Sequence, residues 1–157
     1  MTSAGFAVRV AEADADREAC FAVRREVFVV EQGVPEDLEY DEYDAGAVHV
    51  LAVRDDGLAL GTGRLLTGDA AAVKNGGAAD VGALGRLAVA KAARSLGVGA
   101  ALVLAIEDAA RDRGLSAVDL HAQTHALGFY ERLGYVAYGP EFPDAGIPHR
   151  AMRKILD

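Results

Sequence analysis

Arg94-Ser95-Leu96-Gly97-Val98-Gly99-Ala100 decides the reading of this 157-residue chain. It follows a strand-like apolar run, Ala83-Leu84-Gly85-Arg86-Leu87-Ala88-Val89, and opens a helical pattern from Ala101 to Arg113. Glycine at 97 and 99 lets the main chain approach a ligand without an intervening side chain. The first amides of the helix have no internal partner, and with the helix dipole they form a site for phosphate oxygens. Strand, glycine turn and helix N-terminus together point to a pyrophosphate-bearing cofactor. The stretch departs from the dinucleotide fingerprint, because Leu102 stands where a third glycine belongs, and no Gly-Lys-Ser/Thr tripeptide marks a P-loop. With 18 glycines in the chain, a plain strand-to-helix turn is the competing reading.

A second segment, Val118 to Tyr135, bears on that choice. Arg94-x-x-Gly97-x-Gly99, a strand, then Gln123-x-x-Ala126-x-x-Phe129-Tyr130-Glu131-Arg132-Leu133-Gly134-Tyr135 resembles the GCN5-related N-acetyltransferase (GNAT) superfamily over about Ala83 to Tyr135. The whole chain is also similar to its ElaA-like branch. That likeness rests on Arg25-Glu26-Val27-Phe28-Val29-Val30-Glu31-Gln32-Gly33-Val34-Pro35, and on Gly139-Pro140-Glu141-Phe142 through Gly146-Ile147-Pro148-His149.

Composition sets the outer bounds. A chain of this length is expected to form a single domain over 1–157 and needs no disulfide staple. Its one cysteine, Cys20, reads as a small core residue in an apolar helical run, with a reactive thiol as the alternative. The lack of paired cysteines fits a reducing cytoplasm. No signal peptide and no membrane span of ~18 apolar residues is expected, so no membrane partner is either. The net charge of −8 argues against a nucleic-acid partner. Glu31, Glu36, Asp37, Glu39, Asp41, Glu42 and Asp44 lie together with no lysine or arginine among them. This run reads either as a solvated acidic loop or as a funnel that concentrates a cation.

Periodicity predicts the elements. Phe6–Val10 alternates as a first strand, and Asp14 or Asp16 caps a helix to about Val30 whose core face holds Cys20, Val23 and Val27. Residues 31–44 read as loop or a short second helix. Val48–Val53 and Leu58–Leu66 flank the hairpin signal Asp55-Asp56-Gly57, and 67–80 reads as a surface loop. Val81–Val89 is the next strand, with Gly82 and Gly85 marking a bulge or close approach. Helix 97–113, strand 115–122, a short helix at 126–133, and strands 135–138 and 150–155 follow. Residues 139–149, with three prolines, read as loop. The order β-α-β-β-β-α-β-α-β-β is an α/β (α+β) arrangement. The resemblance implies its spatial form: a mixed, mostly antiparallel central sheet flanked by helices.

The resemblance also implies a chemistry. Acetyl-CoA is the acetyl donor, its pyrophosphate held by the amides of Leu96 to Ala100, with Arg94 and Ser95 alongside. The pantetheine arm runs beside Leu87, Ala88 and Val89, where this strand splays from Leu120 and His121. Gln123, Phe129 and Tyr130 complete the cofactor site. An amide near Val89 faces the thioester carbonyl, freed from the ladder by a bulge near Gly85. Tyr130 is the expected general acid; its alternative is a packing aromatic. An alkylammonium is neutral only about once in 2,500 molecules at pH 7, so a base or water relay is expected. Many relatives carry a glutamate before the strand arginine, but here the region reads Leu84-Gly85-Arg86 with no carboxylate. Glu31 is the next candidate for the base, with His121 and His149 as alternatives. Glu31, Gln32, His121 and His149 are the candidate acceptor-binding residues. His121 and His125 do not form a helical i, i+4 ligand pair, and no metal is expected.

Two functions follow as expectations. One is direct acetyl transfer, in a ternary complex, to a primary amine of a small molecule or peptide, with the acid run favouring a cationic acceptor. The other is a non-catalytic acyl-CoA sensor, favoured by the missing strand carboxylate. A homodimer is compatible with both.

Overall fold

The computed structural model describes residues 5–157. Its seven-stranded sheet has the order β1-β2-β3-β4-β5-β7-β6. The strands are β1 (Phe6–Val10), β2 (Val48–Arg54), β3 (Ala59–Leu66), β4 (Val81–Val89), β5 (Ala117–Gln123), β6 (Val136–Asp144) and β7 (Ile147–Ile155). Only β4 and β5 run parallel; every other neighbouring pair is antiparallel. This is the expected mixed sheet.

Helices cover both faces, so the central strands are largely buried on both sides, apolar on one face and partly polar on the other, where His49, Thr62, Arg64 and Asp119 lie. Helix α4 (Val98–Asp112) buries Val98, Leu102, Val103, Ile106, Ala109 and Ala110 at three- and four-residue spacings. That stripe packs on Val50, Leu65, Leu84, Val118 and Leu120. On the opposite face α1 (Asp14–Arg24) presents Cys20 and Val23 to Leu51, Val53 and Ala88. Its N-cap is Ala13 without a side-chain bond, so neither Asp14 nor Asp16 caps it. The aspartates sit in the first turn instead, where their charge favours the dipole, and Asp16 pairs with Arg9 at 2.8 Å.

The helix does not stop at Arg24. It continues as a wider π-helix over Arg25–Glu31, with the Gln32 amide donating to the Val27 carbonyl at 3.1 Å. The short α2 (Glu36–Glu39) follows, as one of the two expectations for this segment has it. The predicted surface loop at 67–80 contains α3 (Gly68–Asn75), with Ala71 fully buried against Leu66 and Ala83. Its alanines are good helix formers, which outweighs the loop signal of the glycines and aspartates around them.

The predicted loop at 139–149 is the far end of a long β6–β7 hairpin. Asp144 and Ile147 pair across Ala145-Gly146, and both turn residues have positive φ, 52° and 77°. That is the backbone of a twist-matched two-residue hairpin turn. Pro140 and Pro143 are accommodated because β6 is an edge strand, where a missing N–H breaks no second ladder. Helix α5 (Leu127–Arg132) lies between β5 and β6.

Between the sheet and α2 lies a balanced charge cluster. Arg24, fully buried, binds Glu39 and Asp44; Arg64 binds Asp41 and Asp44; Arg86 binds Glu39 and Asp41. Burial alone would raise the Asp44 carboxyl, but hydrogen bonds from Arg24 and the Asp41 amide, with the charge of Arg64, hold it at about 2. That value is depressed relative to an unfolded aspartate near 3.9. The stabilisation is therefore complete above roughly pH 4 and is lost as pH falls toward the folded value, a change of about 2 kcal/mol. Urea unfolding between pH 5 and 2.5 should show this loss, and Asp44→Asn should flatten the profile in that window.

Candidate active site

The β4–β5 ladder holds only from Val81↔Ala117 to Leu84↔Leu120. Beyond it the strands separate, and a cavity of about 1070 Å³ opens at the gap. A bulge shapes its β4 wall. Thr62 pairs with Ala88 but Arg64 with Gly85, so β4 carries one extra residue there. The left-handed residue is Arg86, φ 52°, rather than its glycine neighbour. Gly82 serves packing: a Cβ there would lie 2.8 Å from Leu65 Cδ1. The Ala90 amide donates to the Leu60 carbonyl at 2.8 Å. By antiparallel alternation, the adjacent Val89 turns its N–H and C=O toward the open β5 side.

Residues 90–97 leave β4 through a 3-10 turn (Lys91–Ala93) and enter α4. Ser95 and Gly97 both have positive φ, 70° and 83°. At Gly97 this is the position that favours glycine; at Ser95 it is local strain. Among the described residues, the main-chain amides of 95–100 make no well-aligned hydrogen bond within 3.5 Å to any carbonyl or side chain. Six consecutive free N–H groups at a helix N-terminus make an anion site. Gly99 has a separate reason: Phe129 Cζ would lie 3.2 Å from a Cβ there, so the α5 aromatic seats directly on the loop.

Arg94 is not free beside these amides. Its Nε donates to the Val89 carbonyl at 3.1 Å, and its two terminal nitrogens each meet a Glu31 oxygen at 2.6 Å. The Arg94 hydrogen bonds hold the Glu31 carboxyl below its ordinary range. That is a correction to Glu31 as base, since a carboxylate committed to a guanidinium fork is a poor proton acceptor. The neighbouring Gln32 accepts from Gln123 Nε2 at 3.0 Å, and His125 Nε2 meets Gln123 Oε1 at 2.6 Å. The end of the π-helix thus bridges the gap, with Glu31 tied to the β4 side and Gln32 to the end of β5.

Tyr130 rises from α5 into the cavity. Its ring meets Phe129 and Tyr135 edge-on, with centroids 4.9 and 6.0 Å away. Its hydroxyl has no hydrogen-bond partner among the described residues, and burial pushes its pKa well above the ordinary phenol value. Across the gap, on the face bearing α1, stand Asp119, His121 and His149. Asp119 is held by Arg153 Nε at 2.9 Å and the Tyr138 hydroxyl at 2.5 Å. Burial lowers the His121 pKa. His149 is 9% exposed, and its Nδ1 lies 2.7 Å from the Ile147 carbonyl.

Every candidate named from sequence lines this cavity except Leu96, whose side chain is half-exposed and lies outside the wall. The acidic run is different from either expectation. Five of its seven carboxylates pair with arginine: Glu31, Glu36, Glu39, Asp41 and Asp44. Facing the cavity, Arg64, Lys74, Arg86, Arg94 and Arg132 stand against Glu31, Glu39, Asp41, Asp119 and Asp144. The wall is of mixed sign, and the charge ground for a cationic acceptor falls away. Arg64, and the ion pairs of Arg86, escaped sequence reading. Their signal was a lone arginine inside each apolar strand, opposite an acid-rich segment with no cation of its own.

Comparisons with known proteins agree with this geometry. A family model described as an acetyltransferase (GNAT) domain matches residues 11–156. The uncharacterised N-acetyltransferase YjcF of Bacillus subtilis (strain 168) is 41% identical over 146 residues, covering 92% of this chain and 96% of that protein. The crystal structure of an acyl-CoA N-acyltransferase from Pseudomonas aeruginosa superposes with TM-score 0.77 at 32% identity, covering 95% of this chain and 98% of that one. Escherichia coli ElaA shares the fold, with TM-score 0.78 at 24% identity over 95% of this chain and 97% of its own. With a family match over almost its whole length and a relative spanned nearly end to end, the chain belongs to the GCN5-related N-acetyltransferase family and is an acyltransferase.

Proposed function

We propose that residues 1–157 act as one cytoplasmic N-acetyltransferase domain that moves the acetyl group of acetyl-CoA directly to a primary amine. The observation that carries this reading is the row of unpartnered amides from Ser95 to Ala100 at the mouth of the β4–β5 gap. A diphosphate satisfies several of these donors at once and needs no rearrangement to do so. From there a pantetheine arm, itself rich in amides, reaches the open edge of Leu87 to Val89. The Val89 amide is aimed where a thioester carbonyl would gain negative charge on attack. Tyr130 stands on the same side with a hydroxyl free to give its proton to a departing thiolate. Arg94 supports the loop through Val89 and Glu31, so the amides carry more of the phosphate interaction than its guanidinium does.

Thermal shift tests this in two arms. Acetyl-CoA at 100 times its Kd should add about 2.7 kcal/mol and raise Tm by roughly 5–11 °C. S-Acetylpantetheine, which lacks the diphosphate, should give little shift at the same concentration. Equal shifts would remove the amide row from the reading, and no shift with either compound would remove the donor itself. The lack of a carboxylate before the strand arginine, in Leu84-Gly85-Arg86, favours a second reading, a non-catalytic acyl-CoA sensor. Release of free thiol with an amine panel separates the two: turnover excludes the sensor.

A further inference from the structure

The transferase reading leaves a proton unassigned. A primary amine reaches the enzyme chiefly as ammonium at neutral pH, and it attacks only after losing a proton. The strand carries no carboxylate before Arg86, where Leu84 and Gly85 stand, and the Arg86 guanidinium is itself bound to Glu39 and Asp41.

The cavity's other proton acceptors can be taken in turn. Glu31 is forked to Arg94. Glu39 and Asp41 lie in the arginine cluster. Asp119 is held by Arg153 and Tyr138. His125 is bound to Gln123 through one nitrogen and, unlike His149, is exposed rather than buried. Three groups remain: Asp144 at the exposed hairpin end, His121 and His149.

His149 differs from the other two in being fixed. It is buried on β7 directly opposite Gln123, and its ring stacks on Phe142 with 26° between planes. A carbonyl can only accept, so Nδ1 carries the hydrogen that bonds to the Ile147 oxygen at 2.7 Å. In the neutral ring this leaves the lone pair on Nε2. That atom makes no hydrogen bond among the described residues, and the side chain lines the cavity. An imidazole held by one nitrogen while the other faces a reaction space is the arrangement a general base requires. Around it stand Gln123 and His121 on β5, Phe142 and Asp144 on β6, Lys74 on α3, and His125 before α5. His121 lies on the same sheet face, edge-on to Phe142 at 5.0 Å, with neither ring nitrogen hydrogen-bonded among the described residues.

We propose that His149 is the general base for the acceptor amine. The ammonium gives one proton to Nε2, and the freed lone pair forms the C–N bond at the thioester carbonyl. Collapse of the tetrahedral adduct breaks the C–S bond, and sulfur leaves with the Tyr130 proton. The second nitrogen proton restores the phenol through cavity water, and His149 releases its proton to solvent. This assignment rests on the transferase reading.

The test uses His149→Gln, with His121→Asn beside it, and measures thiol release against pH. Spermidine, glucosamine and a lysine peptide serve as acceptor probes. At pH 7, His149→Gln should lose about a hundredfold in kcat/KM for the amine, with acetyl-CoA affinity unchanged by calorimetry. The deficit should shrink as pH approaches the pKa of the amine itself, because a free amine needs no base. His121 also lines the acceptor side of the cavity, and His121→Asn should show a deficit that stays constant across pH, because it loses an acceptor contact and not the proton transfer. An active wild type with His149→Gln within threefold of it, or with a deficit constant across pH, overturns the base assignment alone. The same holds if His121→Asn carries the pH-dependent loss. A wild type that binds acetyl-CoA but turns over no amine overturns the transferase reading, and this assignment with it.

Discussion

Arg24→Met should unfold this protein more readily by about 3–5 kcal/mol, with the urea midpoint lowered at constant m and Tm down by roughly 6–20 °C. The reason is what the substitution leaves behind. Arg24 is fully buried, and its Nη1 meets Asp44 Oδ1 at 2.6 Å while Nη2 meets the Glu39 carbonyl and carboxylate, both at 2.8 Å. Methionine keeps the aliphatic part of the side chain and removes the guanidinium, so the loss reports chiefly the missing charge and its hydrogen bonds. Glu39 and Asp44, 6% and 2% exposed, would keep their charges with Arg64 and Arg86 as the remaining partners. An uncompensated buried carboxylate is costly because desolvation is no longer offset. Arg24→Lys should recover only part, since an ammonium cannot reproduce the fork that reaches two carboxylates and a carbonyl. The triple variant Arg24→Met, Glu39→Gln, Asp44→Asn should be more stable than the single one, because no charge is then stranded. A single variant within about 1 kcal/mol of wild type would show that water or the other arginines compensate fully.

That cluster also marks where sequence reading stops. The run from Glu31 to Asp44 has no cation within fourteen positions of chain, and charge counted along the chain made it look open to solvent. In the fold its partners come from α1, the π-helix, β3, β4 and the loop after β4, at separations of eleven to sixty-three residues. No local pattern encodes such pairing. The anion loop is the opposite case. Its elements are contiguous: a strand ending at Val89, two glycines with positive φ or close packing, and a helix whose free amides follow from geometry alone. The β6–β7 hairpin falls between. Its prolines read as loop because proline is barred from central strands, yet its place at the sheet edge, which only the topology reveals, removes the objection. The bulge was legible to within one residue: Gly85 attracted attention, but Arg86 adopts the left-handed backbone. Its guanidinium bonds to the Leu38 and Glu39 carbonyls as well as to the acids, and these contacts offset the local strain.

Tyr130→Phe should lower kcat by about a hundredfold or more while leaving acetyl-CoA binding and stability nearly unchanged. Stability is spared because the hydroxyl makes no hydrogen bond within the described residues, so the substitution strands no partner. The ring keeps its contacts with Phe129 and Tyr135, and α5 keeps its seat on Gly99. What is removed is the proton for the leaving sulfur. Burial raises the phenol pKa, so the group stays protonated through the working pH range, and no alkaline limb from its ionisation is expected in the wild-type profile. A high pKa also means that it does not ionise before sulfur has gained charge, which ties proton transfer to C–S cleavage. The dependence should therefore follow the leaving group. With an acetyl aryl-thioester, whose thiolate departs without help, Tyr130→Phe should approach the wild-type rate. With acetyl-CoA it should not, and the loss should appear in kcat rather than in KM. A hundredfold loss of equal size with both donors would make Tyr130 a positioning residue for the thioester, and full activity with acetyl-CoA would leave its open hydroxyl without a catalytic role.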